Sequence, residues 1–131
     1  MSKGWFLLHR KFFDNFLWNE PREFSRAEAW IDLISMARFE ATQEIIQKRV
    51  LEIQRGEIPA SIRFLSKRWQ WGKTKTTNFL KILEKMDMIG QQTRQGQTVI
   101  TISKYDDYQP KKETYETINE TAARQRRDKY K

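Results

Sequence analysis

The 131-residue chain contains no cysteine. It therefore has no disulfide framework and no thiolate metal site. That fits a reducing compartment, and the cytoplasm is the expected location. Histidine occurs once, at His9. One histidine excludes His-rich zinc sites and argues against a histidine-based catalytic dyad. Packing, or a place on the polar side of a first helix, is the expected role of His9. No apolar run approaches the roughly 20 residues that a bilayer-spanning helix needs. The opening stretch MSKGWFLLHRKFF meets His9, Arg10 and Lys11 too soon to read as a signal peptide. Acids are missing altogether between Ser61 and Lys81. Elsewhere they are scattered over predicted caps and helix surfaces, with no nucleophile–base pair or metal cluster. No enzymatic activity and no cofactor are expected.

What is present is positive charge and aromatic surface. The net charge is +8, the sequence pI about 9.8, and aromatics make up 13% of residues. A basic chain of this size suits an anionic partner. The triplet Gly72-Lys73-Thr74 resembles the end of a phosphate-binding loop, G-x-x-x-x-G-K-[ST]. With Gly72 as the second glycine, the first falls on Lys67. Two tryptophans and an arginine then occupy a loop that needs small residues with free backbone N–H groups. A nucleotide-binding loop is set aside on that ground.

Along the chain, Trp5, Leu8, Phe12 and Phe16 recur at steps of three and four, which predicts an amphipathic helix over 5–18. Ser25 and Glu28 form a capping box for a second helix running to about Glu40. Trp30, Ile31, Ile34 and Met36 are expected on its apolar side. Residues 44–60 are read as a strand or loose hairpin, with a turn at Arg55-Gly56. Ser61 caps a third helix with Ile62, Leu65 and Trp69 on one face, and Ser66 beside it where another helix crosses. A fourth helix is predicted from about Lys73 to Met86, with Thr76, Phe79, Leu80, Leu83 and Met86 inward. Two helices joined by so short a turn make a helix-turn-helix. Ile89 and the Val99–Ile102 stretch then flank a polar segment with Gly96 as turn residue, which predicts a β-hairpin, or wing. The expected fold class is α+β: a winged helix-turn-helix over residues 1–109. Residues 110–131 form a polar basic tail, too poor in apolar residues to offset its ordering entropy.

The acid-free run carries Arg63, Lys67, Arg68, Lys73, Lys75 and Lys81. Charge of one sign self-repels and calls for an external counter-charge. An α-helix fits the DNA major groove and enters it N-terminus first in such motifs. Lys73, Thr74, Lys75, Thr77, Asn78 and Lys81 are the expected outer face. Lysine and threonine suit phosphates, and Asn78 suits adenine. Thr74 has an equal claim as a cap or first-turn residue. Arg94, near the expected hairpin tip, is assigned to a minor groove or phosphate. Trp69 and Trp71 are read as core rather than as base-stacking groups.

The segments GWFLLHRKFFDNFLW, EFSRAEAWIDLISMARF, RGEIPASIRFLSKRWQWGKTKTTNFLKILEKMDMI and TVITISKYDDYQ resemble the N-terminal winged-helix domain of bacteriophage and prophage replication initiators, the replisome organisers. The likeness covers about residues 4–109. It implies binding to double-stranded origin DNA, with a host helicase or helicase loader recruited by another region. It also implies outward positions for Lys73, Lys75, Thr77 and Asn78. Many relatives have more arginine there, and serine or threonine at the position of Gly72. A winged-helix transcription regulator, and an oligomerisation module of the primosomal DnaD type, are the alternatives. The second implies self-association.

Overall fold

The computed structural model describes residues 6–111. The basic tail expected from residue 110 lies outside them from residue 112 on, as does Trp5 at the start of the first expected helix.

Helix α1, Arg26–Met36, begins where the sequence says it should. Ser25 Oγ accepts from the Glu28 N–H, and the Glu28 carboxylate accepts from the Ser25 N–H. This satisfies two N–H groups that the helix itself cannot pair. The helix stops at Met36, short of Glu40. Its inner side is Ala29, Asp32 and Leu33, whereas Ile31 faces solvent. Trp30 and Met36 pack against the core as expected, Ile34 is half-buried, and the charged Asp32 joins the interior.

The helix expected over 5–18 is replaced in the described residues by a single 3₁₀ turn, Arg10–Asp14. The Asn15 side chain accepts from the Leu17 N–H, and the Asn19 amide donates to the carbonyls of Phe13 and Asn15. Such local side-chain bonds compete with helical ones. Phe12, Phe13, Trp18 and Phe24 pack as a tilted and edge-on aromatic cluster, while Phe16 is 71% exposed.

Residues 42–59 form three strands rather than one loose hairpin. Strands β1 (Thr42–Ile46) and β2 (Arg49–Ile53) pair antiparallel about Gln47-Lys48, both at positive φ. Gly56, at φ +81, then turns the chain into β3, Glu57–Pro59. A Cβ there would stand 3.1 Å from that of Tyr105, so glycine is required twice over.

Helix α2 is Ile62–Trp69 and helix α3 Lys73–Lys85. Ser61 caps α2 by accepting from the Phe64 N–H. Gln70 takes the left-handed conformation, and the Trp71 N–H returns to the Ser66 carbonyl. The Ser66 hydroxyl donates to Thr76 Oγ1 at 2.8 Å, joining the two helices where they cross. Trp71 Nε1–H donates to the Phe24 carbonyl, which ties the connection to the chain before α1.

Strands β4 (Ile89–Arg94) and β5 (Gln97–Ile102) form a hairpin about Gln95-Gly96. Strand β3 adds to the other edge of β5, giving the order β3-β5-β4. A short helix α4, Tyr105–Tyr108, closes the described chain. Arg55 holds it by donating to Asp106 and to the Gln109 carbonyl. The fold is mixed α+β with two small antiparallel sheets. Its core gathers Leu33, Ile58, Leu65, Trp69, Leu80, Leu83 and Ile100 between α1, α2, α3 and the three-stranded sheet. Among the described residues no helix is long and apolar enough to cross a membrane.

Candidate nucleic-acid interface

Helix α3 buries Thr76, Phe79, Leu80 and Leu83. At 100° per residue, the ridge opposite them is Thr74, Asn78, Lys81 and Lys85, all exposed. Thr77 is half-buried at the edge of this ridge, and Lys73 is exposed at the helix start. Lys85 was not singled out in the sequence, although it stands four residues after Lys81 on the same side. Met86 was expected inward but is 68% exposed, since the chain leaves the helix there. Gly72 is the N-cap and supplies no side-chain bond. Thr74 is thus a first-turn residue and not a cap. Gly72 has an ordinary extended conformation, and the GKT triplet opens helix α3.

The cations of the acid-free run separate into two groups. None of the ion pairs among the described residues involves Arg63, Lys67, Lys73 or Lys81. All four are exposed on α2 and α3. Arg68 is different. Its Nε and Nη2 donate to Asp32 at 2.6 and 2.9 Å, and Trp69 Nε1–H donates to the same carboxylate at 2.8 Å. Asp32 is wholly buried. Arg68, expected as a DNA contact, is thus engaged by an internal acid and ties α1 to α2. Lys75 is intermediate. Its ammonium lies 3.0 Å from Glu23 Oε1 and 4.5 Å from the Trp71 ring centre, which draws it to the flank of α3.

Arg94 ends β4 beside the Gln95-Gly96 turn, near the hairpin tip as expected, but its guanidinium folds back across the sheet. Nη1 and Nη2 donate to the two oxygens of Glu57 at 2.9 and 3.0 Å, and Nη1 also to the Glu52 carbonyl. The Arg94 bonds, with the Gln54 N–H, hold the Glu57 carboxyl below the usual carboxylate range against the opposing effect of burial. Arg49 donates to the Gln95 carbonyl, so the two hairpins are joined near their tips.

Trp69 and Trp71 are buried and meet each other and Phe79 edge-on, as core residues. Among the described residues no group of three or more His, Asp or Glu lies close enough to hold a metal ion. Comparison with protein-family models, with curated proteins and with solved structures finds no match in any of the three.

Proposed function

We propose that α2, α3 and the β4–β5 hairpin act as a winged helix-turn-helix that binds double-stranded DNA, with α3 in the major groove. The observation that carries this reading is the acid-free run from Ser61 to Lys81. It leaves Arg63, Lys67, Lys73 and Lys81 exposed and without an internal counter-charge among the described residues. DNA phosphates supply that counter-charge. The resemblance to phage and prophage replication initiators favours an origin as the target, with a host helicase or its loader as further partner. A transcription operator is the competing target. On either reading the chain works in the host cytoplasm and performs no chemistry of its own.

The test is a titration of labelled duplex from the parent genome's origin, against a shuffled duplex, over a salt series. With four phosphate contacts, affinity should fall about 10²-fold between 50 and 200 mM salt. Lys73→Ala and Lys81→Ala should each lower the salt slope by about one. Lys75→Ala should lower it less, because Glu23 already neutralises that ammonium. Asn78→Ala should cost about 1–3 kcal/mol on the specific duplex alone. Binding indifferent to salt, or none at low salt, refutes the reading.

One observation favours the oligomerisation alternative. Ile45 and Val50 are paired across β1 and β2, yet are 79% and 59% exposed, on a two-stranded sheet with an open edge. Open edges with apolar side chains invite pairing with another chain. If this is an interface, Ile45→Lys should lower the sedimenting mass of the full chain.

A further inference from the structure

Beside the outer ridge of α3 runs an open groove of about 510 Å3. Trp71 and Phe79, both buried, contribute to its wall, and Arg26 from the start of α1 lines it together with Lys75. Thr74, Asn78 and Ile82 also line it. These three recur every four residues and form one row along α3, at about 6 Å per step. Ile82 is 45% exposed. It places an aliphatic side chain in a row that otherwise offers a hydroxyl and a carboxamide.

We propose that Ile82 reads the 5-methyl group of a thymine, so that α3 selects an A·T pair close to the base pair contacted by Asn78. This rests on the DNA-binding reading and deepens it. The thymine methyl is the apolar feature of the major-groove edge, and aliphatic contact is how side chains detect it. The spacing agrees: about 6 Å along the helix compares with about 3.4 Å per base step, which puts Ile82 one or two steps from Asn78. Charge favours nucleic acid as the occupant. The groove is bordered by Arg26, and the same helix exposes Lys73, Lys81 and Lys85. An acidic protein segment with an apolar anchor is the other occupant such a groove would take, and the test separates the two.

The full chain is used to select bound duplexes from a randomised library. Each thymine of the selected duplex is then replaced in turn by deoxyuridine, which removes only the methyl. Burying one methyl is worth about 0.8 kcal/mol, or about a fourfold change in affinity. The wild type should lose about fourfold at one or two positions, adjacent to or two steps from the pair that Asn78→Ala ceases to discriminate. Ile82→Ala should lose nothing further there. Ile82→Val, which keeps most of the side chain, should fall between and guards against a folding defect. If a sequence is selected but every deoxyuridine is neutral, or costs Ile82→Ala as much as wild type, the inference is overturned and DNA binding stands. Duplex binding without any selected sequence overturns readout by both Asn78 and Ile82. If no duplex is bound, the DNA reading itself falls and takes the inference with it.

Discussion

Replacing Arg68 by alanine separates a structural from a DNA-contacting role for the acid-free run. In the fold the guanidinium gives two hydrogen bonds, 2.6 and 2.9 Å long, to the Asp32 carboxylate. Asp32 has no exposed side-chain surface, whereas the Arg68 side chain is 38% exposed. Removing one partner of a buried ion pair costs about 3–5 kcal/mol, because the other charge is left buried and uncompensated. The partial exposure of Arg68 means that its own desolvation is incomplete, which places the loss at the lower end, about 3 kcal/mol. That is a large share of the roughly 5–15 kcal/mol that holds a small domain together. Asp32→Ala should cost less. It frees Arg68 to turn to water and strands only the Trp69 indole N–H, an unsatisfied buried donor worth about 1–3 kcal/mol. The double variant should be less destabilised than the sum of the singles, by about 2 kcal/mol of coupling. Urea unfolding followed by tryptophan fluorescence measures all three. The salt slope of DNA binding should be unchanged in Arg68→Ala under conditions where it remains folded. An Arg68→Ala chain that unfolds within 0.5 kcal/mol of wild type while its salt slope drops by about one would refute the clamp. It would return Arg68 to the DNA-contacting set.

Leu83 is 5% exposed in the core, so Leu83→Ala should cost about 2–5 kcal/mol, read as a lower urea midpoint; an unchanged midpoint would mean that the inner face of α3 is misassigned. Gly72 caps α3 without a side chain, and a Cβ there meets nothing within 4 Å. Gly72→Ser should therefore add a cap and restrict the unfolded chain, a gain of about 0.5–1 kcal/mol that raises the melting temperature by several degrees; a lower melting temperature would contradict the open geometry. The Glu57 carboxyl is held below its ordinary value chiefly by Arg94, so its stabilisation is complete above about pH 4.3 and is lost as pH falls through the lower folded value. Arg94→Ala should flatten the acid side of the stability–pH curve, and an unaltered slope would show that the pair does not hold the hairpin.

What was legible in the sequence was what a few neighbouring residues decide among themselves. Ser25 with Glu28, and Ser61, mark helix starts because the cap is a bond between a side chain and an N–H three residues on. Gly96 marks the hairpin because its φ of +80 is open to few other residues. Ser66 was readable as a close-approach site because a small residue beside an apolar stripe has one common cause, and it does bond Thr76 across the helix crossing. What was not legible has the opposite character. Asp32 reads as a surface residue until Arg68 and Trp69, more than 35 positions away, are seen to bond it. Arg94 reads as a free wing cation until β3 brings Glu57 beneath it, and β3 owes its place to pairing with β5, not to its own three residues. The spacing of Leu8, Phe12 and Phe16 suggests a helix, but Asn15 and Asn19 hold a turn in which the adjacent Phe12 and Phe13 both meet Trp18. Charge counted along a chain therefore overstates the surface available to a partner. Of the six basic residues between Ser61 and Lys81, the fold engages Arg68 and Lys75 with its own acids, while Lys85, just beyond that run, joins the ridge of Asn78 and Lys81.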